Sequence, residues 1–284
     1  MVKVLSPGFY STIQDIGRFG YQEYGVPYSG VMDLNATTLV NMLLGNDKND
    51  SVVEMTMTGA KLQFSIKTAI VISGADMSPM INGNSIQLNK IVAINPNDIL
   101  SFGKLNTGFR SYLGVLGGFN TETVMHSKSM YKSITKSFML AANDKLQITE
   151  VLSNHNKKHA SIRFDTSYVS SKDLVVFKGP EFDMLSNEQQ KALFNKSYTI
   201  SKNNNRMAYQ IEEVVQNNLK PIITSAVLPG TVQLTPSGKL IVLMRDCQTT
   251  GGYPRVLQLE KSSISILAQK FTSKTIQFKL KAQI

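Results

Sequence analysis

The amino-acid sequence predicts a mainly β protein made of two β-barrel domains with a few short helices. Apolar residues occur in short runs or alternate with polar ones, and clusters of turn residues such as Asn82-Gly83-Asn84 separate these runs. Helical spacing is confined to a few segments, so the pattern favours barrels over a parallel sheet with crossover helices. The predicted strands of the first half are Val52-Val53-Glu54-Met55, Lys61-Leu62-Gln63-Phe64, Ala69-Ile70-Val71-Ile72, Ile91-Val92-Ala93-Ile94, Ile99-Leu100-Ser101-Phe102 and Tyr112-Leu113-Gly114-Val115-Leu116.

Three segments carry helix signals. Asp33 is a predicted N-cap, followed by apolar residues at helical spacing until Gly45-Asn46 ends the helix. Ser186-Asn187-Glu188-Gln189 is a capping box that opens a short second helix. A third helix is predicted over about Ser262 to Lys270, before a final strand at Thr275–Leu280.

The two halves of the chain share a pattern of strand, turn, strand and Gly-Gly-aromatic. In the first half it ends at Gly117-Gly118-Phe119, and in the second at Gly251-Gly252-Tyr253. The polar segment 153–159 between the halves reads as a linker, which predicts domains at 1–152 and 160–284. His155 and His159 in this linker have the spacing of a helical metal pair. Because no apolar stripe or nearby carboxylate accompanies them, no metal site is predicted.

Composition limits the class of protein. Of 284 residues, 42% are hydrophobic and 18% charged, and no apolar run approaches the roughly 20 residues of a membrane span. The N-terminus reads as a strand, Val2 to Leu5, without a signal-peptide core, and Cys247 is the single cysteine. These features predict a cytoplasmic protein that is not attached to a membrane.

The net charge of +10 favours anionic partners in general. The basic residues are scattered, and neither a basic helix face nor interleaved aromatic residues occur. Nucleic acid is therefore not predicted as a ligand. A basic solvated surface is the preferred interpretation, and the alternatives are acidic small molecules or an acidic partner protein.

A polar turn follows the predicted strand 240–244. Its sequence is Asp246-Cys247-Gln248-Thr249-Thr250-Gly251-Gly252-Tyr253-Pro254-Arg255-Val256. The glycines predict a bend and close backbone approach, so that N–H groups can bind a carboxylate or phosphate beside hydroxyl and amide side chains. The alternative is an ordinary hairpin turn, and the density of polar groups favours a binding site.

Residues 9–31 carry four glycines and no helical period, which predicts a long functional loop. Gln14, Asp15 and Arg18 are its candidate binding residues; a surface loop closed by an Asp15–Arg18 pair is an equal alternative. Ser29 and Gly30 directly precede the first predicted helix, where free N–H groups favour an anion.

Four motifs resemble the biotin-dependent carboxyltransferase-like family, also called allophanate hydrolase subunit 2, which includes the C component of 5-oxoprolinases. The resemblance runs nearly end to end. The motifs are Thr12-Ile13-Gln14-Asp15-Ile16-Gly17-Arg18, Gly25-Val26-Pro27-Tyr28-Ser29-Gly30-Val31-Met32-Asp33, Arg110-Ser111-Tyr112-Leu113-Gly114-Val115-Leu116-Gly117-Gly118 and the turn 246–256.

The resemblance implies two cyclophilin-like β-barrel domains that act beside a partner protein. It implies the C component of an ATP-dependent 5-oxoprolinase, which opens the lactam of 5-oxo-L-proline to L-glutamate. The partner would be a 5-oxoprolinase B-like (allophanate hydrolase subunit 1-like) protein, with an A-like component of the same enzyme as a further possibility. ATP would be used by the complex, and this chain has no biotin-attachment motif of the Met-Lys-Met kind.

Two alternatives remain open at this point. One is the carboxyltransferase component of a biotin-dependent urea or amide carboxylase with a separate biotin carrier. The other is a catalytically weakened regulatory protein that acts through its partner. The second follows from departures at 204–210, where relatives commonly read Ser-Asp-Arg-Met-Gly-Tyr-Arg, and at 126–131, where they read Gly-Ser-Arg-Ser-Thr-Tyr.

The implied chemistry assigns roles to particular residues. A lactam or urea carbonyl needs its oxygen phosphorylated or its developing charge stabilised. Thr250, Gly251 and Gly252 would supply donors, Arg206 or Arg18 would hold the substrate carboxylate, and Asp246 would orient an arginine or act as a base. The complete predicted site has catalytic residues Asp246, Gln248, Thr249, Thr250 and Arg206, and binding residues Arg18, Gln14, Asp15, Ser29, Gly251, Gly252 and Tyr253.

Overall fold

A computed structural model describes residues 1–149 and 164–282, and two compact units divide the described chain. The first unit consists of residues 1–17 and 33–169, and the second of residues 18–32 and 170–284, each without the residues outside the described ranges. The division differs from the predicted ranges 1–152 and 160–284, because residues 18–32 belong to the second unit. The predicted linker and its histidines, His155 and His159, lie outside the described residues.

The first unit contains one α-helix and two β-sheets. The helix is Leu34–Leu44 (α1). The strands are Val2–Ser6 (β1), Tyr10–Gln14 (β2), Val52–Thr56 (β3), Lys61–Phe64 (β4), Thr68–Asp76 (β5), Pro79–Ile81 (β6), Asn84–Ser85 (β7), Val92–Ile94 (β8), Ile99–Phe102 (β9), Thr107–Val115 (β10), Phe119–Asn120 (β11) and Lys145–Ile148 (β12).

The strands of the first unit form a seven-stranded sheet and a five-stranded sheet. Their orders are β11-β12-β1-β4-β9-β6-β7 and β2-β3-β10-β5-β8. The N-terminal strand β1 pairs antiparallel with β4 and β12, so it belongs to this unit. Apolar residues of both sheets, among them Val4, Ile13, Leu62, Ile72 and Leu113, form one buried core cluster.

The prediction of a continuous loop over residues 9–31 was wrong at its start. Tyr10–Gln14 is strand β2, paired antiparallel with β3 over five residues from Tyr10–Thr56 to Gln14–Val52. Both faces of β2 are buried, so its polar and apolar residues do not alternate as they would on a half-solvated strand. The sequence of β2 therefore lacked both the alternation and the short apolar run from which other strands were predicted.

The predicted boundaries of the first helix are confirmed. A glycine in the sheet allows this helix to pack closely on it. The Asp33 side chain accepts a hydrogen bond from the Ala36 N–H, and Gly45 ends the helix in the left-handed conformation. At Gly114 of β10, a Cβ atom would lie 2.2 Å from Val40 Cγ1. Glycine at this position is therefore what lets α1 pack on β10.

The second unit is organised around a closed seven-stranded barrel. Its helices are Asn187–Phe194 (α2) and Lys261–Ala268 (α3). Its strands are Asp173–Lys178 (β13), Tyr198–Asn204 (β14), Ala208–Val214 (β15), Ser225–Ala226 (β16), Thr231–Leu234 (β17), Lys239–Leu243 (β18), Thr250–Gly251 (β19), Arg255–Leu259 (β20) and Thr275–Leu280 (β21). The barrel order is β13-β20-β17-β18-β15-β14-β21, and β21 pairs in parallel with β13 to close it.

The mainly β fold class with a few short helices is confirmed. The capping box at Ser186 is present in full: the serine side chain accepts from the Gln189 N–H, and the Gln189 side chain accepts from the Ser186 N–H. The barrel interior holds the core of the second unit, which includes Met32 from the segment 18–32. Strands β16 and β19 form a separate two-stranded ribbon that carries the turn 246–253.

Lys270, after the C-terminus of α3, gives a pH-dependent prediction for stability. Burial, with a further contribution from Lys274, lowers the pKa of Lys270 to about 8. Below pH 8 the ammonium is charged in both states, so its burial opposes folding. Between pH 8 and the unfolded-state pKa of about 10.4 the unfolded chain binds more protons, so this opposition fades as pH rises.

Lys270→Met is therefore expected to increase stability relative to wild type more at pH 7 than at pH 10. Urea unfolding of both proteins at the two pH values measures this difference. Lys261→Met, at the exposed lysine that begins α3, is the control and should give the same small difference at both pH values. A Lys270→Met effect that is equal at pH 7 and pH 10 would contradict the lowered pKa.

Candidate active site

Arg206 lies in the hairpin between β14 and β15 of the second unit. Asn205 holds this hairpin, because its side-chain oxygen accepts from the N–H groups of Met207 and Ala208. An amide oxygen accepts these hydrogen bonds as a carboxylate oxygen can, so Asn205 can hold the turn without the aspartate that the resemblance led us to expect here. The departure from the family pattern at Asn205 leaves the hairpin that positions Arg206 intact.

Arg206 and Asp246 form a buried bidentate ion pair. The Nε and Nη2 atoms of Arg206 donate to Oδ2 and Oδ1 of Asp246 at 2.8 and 3.0 Å. Nη2 also donates to the carbonyl oxygen of Gly30 at 2.7 Å. The two side chains are 6% and 12% exposed, so the pair is charge-assisted and weakly screened. Asp246 thus orients an arginine as predicted, and Arg206 ties the segment around Gly30 to the polar turn.

Ser29 adds a second link between the same two segments. Its N–H donates to the carbonyl oxygen of Arg245 at 2.9 Å, and its φ is 53°. Its hydroxyl accepts from Nη1 of Arg18 at 3.5 Å, and Arg18 is fully buried. The Ser29 N–H that was predicted to be available to an anion is therefore used within the chain. The anion-binding role of Ser29 stays a prediction. Its N–H is already used, so only its hydroxyl could donate to an anion.

Gln248 has a polar atom that the chain does not satisfy. Its side-chain oxygen Oε1 is buried and has no hydrogen-bond partner among the described residues. A buried acceptor without a donor costs about 1–3 kcal/mol, so such atoms are rare in folded proteins. Gln248 lies two residues after Asp246, whose pair with Arg206 fixes this part of the turn. The oxygen is closed to water in the structure, so a ligand with an N–H or O–H donor would satisfy it after a small movement of the Gln248 side chain.

Cys247, between Asp246 and Gln248, has an apolar structural role. It is buried against Val227 and Leu243. Burial, with the negative charge of Asp246 adding to it, raises the pKa of the Cys247 thiol to about 12. A thiol with this pKa is protonated at neutral pH, which excludes Cys247 as a thiolate nucleophile.

The glycines of the turn act differently from the prediction. Neither Gly251 nor Gly252 has a positive φ, whereas Gly117 and Gly118 of the first unit both do. The bend predicted for Gly251-Gly252 stays a prediction that no left-handed glycine supports, and the shared Gly-Gly pattern of the two halves covers two different backbone conformations. A Cβ at Gly251 would lie 2.5 Å from Nε2 of Gln233, so close approach of that side chain explains the glycine.

In the turn that carries Thr249, Thr250 and Tyr253, some backbone groups already form hydrogen bonds within the chain. The carbonyl oxygens of Thr249 and Gly252 accept from the N–H groups of Val227 and Ile222. Thr250 and Gly251 form β19, opposite Ala226 and Ser225 of β16. The Tyr253 carbonyl accepts from Gln233, and the Tyr253 side chain is partly exposed. The predicted donor roles of Thr250, Gly251 and Gly252 stay predictions.

Sequence reasoning missed a second bidentate pair that supports this turn. Nε and Nη2 of Arg255 donate to the Glu181 carboxylate at 3.0 and 2.8 Å, and Nη1 donates to the Ala226 carbonyl at 2.9 Å. The hydrogen bonds from Arg255 lower the pKa of Glu181, and the same contact raises the pKa of Arg255. Arg255 thereby connects β20, β16 and the residue after Pro180. The sequence could have indicated a role for Arg255, because this residue lies inside the turn motif. No local pattern, however, identified Glu181 as its partner.

Gln14 and Asp15 belong to the first unit, where both are buried and used by the chain. The Asp15 carboxylate accepts from the Gly17 N–H, the Ser127 and Ser129 hydroxyls and the Lys128 N–H, at 2.6–2.9 Å. The Gln14 amide donates to Thr12 and to the Met130 carbonyl. Four donors fill the acceptor capacity of one carboxylate. The binding role predicted for these residues stays a prediction, and their contacts fix the segment 127–130.

The motif around Arg110 forms a buried polar cluster in the first unit. Arg110 and Glu54 are 2% and 1% exposed and form an ion pair, with Arg110 Nε 3.9 Å from Glu54 Oε1. The Tyr112 hydroxyl accepts from the Asp33 N–H, and Tyr168 donates to the Asp33 carboxylate at 2.8 Å. Burial, followed by the charges of Glu54 and Asp33, raises the pKa of Tyr112 well above its ordinary value. The motif residues are thus part of a charged interior.

Two classes of site are not seen in the part of the chain that the structure describes. No group of three or more His, Cys, Asp or Glu residues is arranged to hold a metal ion within residues 1–149 and 164–282. Over the same residues, no helix has the length and apolar character needed to span a membrane.

Comparison with known proteins places these features in a family. The family described as carboxyltransferase domain, subdomain A and B, matches residues 24–280. The C components of the 5-oxoprolinases of Escherichia coli K12 and Haemophilus influenzae are each 27% identical to this chain, over 98% of it and 90% of each relative.

Urea-converting proteins match as well. The urea amidolyase of Lachancea kluyveri is 39% identical over 130 residues, which is 45% of this chain and 7% of that protein. The crystal structure of the Kluyveromyces lactis urea carboxylase has a TM-score of 0.82 at 23% identity, and covers 98% of this chain and 27% of the solved chain. This structural likeness confirms the fold. The chain therefore belongs to the carboxyltransferase domain family, subdomains A and B.

Proposed function

We propose that this protein is the C component of an ATP-dependent 5-oxoprolinase, active together with a B-like partner protein of the allophanate hydrolase subunit 1 type. Two relatives named as the C component of a 5-oxoprolinase align with 98% of the chain and span 90% of their own length. Their names describe one member of an assembly, which supports a hetero-oligomer. ATP is proposed as a cosubstrate of that assembly, and an A-like component as a further member.

The observation that carries the proposal is the unsatisfied oxygen of Gln248. A lactam such as 5-oxo-L-proline carries one N–H donor and one carbonyl acceptor on adjacent atoms of its ring. Donation from the lactam N–H to Gln248 Oε1 would satisfy the buried acceptor and fix the orientation of the ring. A substrate that lacks this donor would leave the oxygen unpaired, so the same contact supplies specificity.

The residues next to Gln248 have two proposed roles, to hold the turn that carries Gln248 and to donate to the lactam carbonyl. Asp246 and Arg206 are positioning residues, because their pair fixes the turn on which Gln248 sits and links it to Gly30. Thr249 and Thr250 are the proposed donors toward the carbonyl oxygen, where negative charge develops when the amide bond is attacked. Held donors of this kind stabilise a transition state because they need no reorganisation as charge develops.

The proposal is tested by co-expressing the chain with the A-like and B-like proteins and purifying the complex. L-Glutamate release from 5-oxo-L-proline that requires ATP, and that is absent without this chain, is the expected result. Purification of a stable complex that releases no glutamate under these conditions would overturn the proposal and favour the regulatory alternative.

Gln248→Met is expected to lower kcat/KM of that complex about tenfold or more, while the free energy of unfolding stays unchanged or rises. Methionine has a similar shape and removes a buried acceptor that the chain does not satisfy, so stability has little to lose. The control is Gln258→Met, because Gln258 accepts from the Thr231 hydroxyl and donates to the Pro229 carbonyl. That variant should lose about 1–2 kcal/mol of stability. Full activity of Gln248→Met would remove Gln248 from the site.

A second candidate function is supported by the stretch that is 39% identical to urea amidolyase. In this interpretation the chain is the carboxyltransferase component of a urea or amide carboxylase with biotin on a separate carrier. Carboxylation of urea that avidin abolishes, with no ATP-dependent glutamate release, would favour this function over the first.

A further inference from the structure

A cavity in the first unit lies among segments to which no function has been assigned. Its volume is about 290 Å³, close to the lower end of the range for small-molecule sites. Among the residues that the structure describes, three lysines and two carboxylates line it together with hydroxyl and apolar side chains. The lining residues on which the argument rests are Thr121, Glu122, Lys128, Lys136, Asp144 and Lys145.

Both acidic residues of the lining are committed to the backbone. Glu122 Oε2 accepts from the Lys136 N–H at 3.0 Å, and Asp144 Oδ2 accepts from the Ala141 N–H at 2.7 Å. The carboxylates therefore hold the two segments that carry Lys136 and Lys145. These side chains comprise three ammonium groups and two carboxylates, so their net charge is positive. A positive net charge attracts an anion into the cavity.

Two hydrogen bonds hold Lys128 at the wall of the cavity. Its N–H donates to Oδ2 of Asp15 at 2.6 Å, and its Nζ donates to the Phe119 carbonyl at 2.9 Å. Asp15 is buried and also receives the Ser127 and Ser129 hydroxyls, so the segment that carries Lys128 is fixed from both sides. A cation placed by a buried network is preorganised for a ligand, because little side-chain entropy is left to lose on binding.

Thr121 contributes a hydroxyl that the chain does not satisfy. Its Oγ1 atom is buried and lacks a hydrogen-bond partner within the described residues. Rotation of the Thr121 side chain, which lines the cavity, would present this hydroxyl to an anionic oxygen there and remove the cost of leaving it unpaired. The unsatisfied hydroxyl and the lysines thus point to the same kind of ligand.

We propose that this cavity binds the phosphate group of a small molecule. Each ammonium acts as a compact point charge, which suits a tetrahedral dianion, whereas a planar carboxylate is best matched by an arginine fork. Among the described residues, those that line the cavity include lysines and no arginine. The apolar side chains of Met130 and Leu146 also line it and leave space for the organic part of a phosphate ester. The proposal stands independently of the lactam chemistry assigned to the second unit.

The test is isothermal titration calorimetry of the full chain with inorganic phosphate at constant ionic strength. Saturable binding is expected, and the double variant Lys136→Met/Lys145→Met should weaken it tenfold or more. Thr121→Val changes one hydroxyl to a methyl group and should weaken binding severalfold. Lys104→Met, at an exposed lysine of the same unit outside the cavity, should leave binding unchanged.

Three results would overturn the proposal. One is the absence of saturable phosphate binding to the wild-type chain. Another is an equal loss of affinity in Lys104→Met and in the double variant, which would indicate general charge attraction. The third is saturable binding of acetate with none of phosphate, which would assign the cavity to carboxylates. Thermal unfolding of each variant without phosphate shows whether a loss of binding reflects a loss of folding.

Discussion

Asp246→Ala is expected to lower the free energy of unfolding by about 3 kcal/mol or more. The change removes both acceptors of the bidentate pair and leaves the Arg206 guanidinium, 5% exposed, with an uncompensated charge. Breaking one side of a buried ion pair typically costs about 3–5 kcal/mol, because the remaining charge stays out of water. Urea denaturation of the purified variant measures the loss.

The same variant should loosen the segment around Gly30. Arg206 joins Asp246 to the Gly30 carbonyl, so displacement of its side chain weakens that link as well. Amide hydrogen exchange of residues 26–31 should become faster than in wild type, while exchange in the barrel strands changes less. Asp183→Ala is the matched control, since its pair with Lys178 is largely exposed and should contribute little. A loss of stability no larger than that of Asp183→Ala would contradict the assignment.

Arg110→Met should have a similarly large effect in the first unit. The variant leaves the Glu54 carboxylate, which is 1% exposed, without its cationic neighbour. We expect the free energy of unfolding to fall by about 3–5 kcal/mol. Urea unfolding, followed by circular dichroism, checks the result.

A double variant separates charge from packing at this position. Glu54→Leu together with Arg110→Met removes both charges and keeps apolar volume, so most of the lost stability should return. The Asp33 N–H keeps its acceptor, the Tyr112 hydroxyl, while the hydrogen bond between Tyr112 and Glu54 is lost, so recovery should be incomplete. A double variant that is less stable than Arg110→Met would show that the two charges act independently, which would refute the predicted coupling.

The two pairs differ in what they imply for function. Arg206 and Asp246 hold the turn that carries Gln248, so weakening them should lower activity through a displaced turn as well as through lost stability. Arg110 and Glu54 lie in the interior of the other unit, and the chain offers no ligand-facing role for them. A stability loss with preserved kcat at low temperature is therefore the expected result for Arg110→Met alone.

Local signals in the sequence determined the helices and about half of the strands. Asp33 and Gly45 marked the ends of the first helix, and Ser186 with Gln189 marked the start of the second. These signals work because a cap and its partner lie within a few residues of each other. Strand β2 was missed because polar residues occupy buried positions on it, which removes both the alternation and the apolar run that mark other strands.

Only the tertiary structure decided which polar residues meet. Arg206 contacts Gly30, 176 residues before it, and Asp246, 40 residues after it. The Asp15 carboxylate accepts from Ser127, Lys128 and Ser129. The motifs marked these residues as important, yet whether a charged side chain contacts a ligand or another part of the chain depends on long-range packing. Residue type and the spacing of motifs indicate which chemistry a side chain could perform. Its partners are set by the folded backbone, because a buried charge is stable only where the fold brings a compensating group to it.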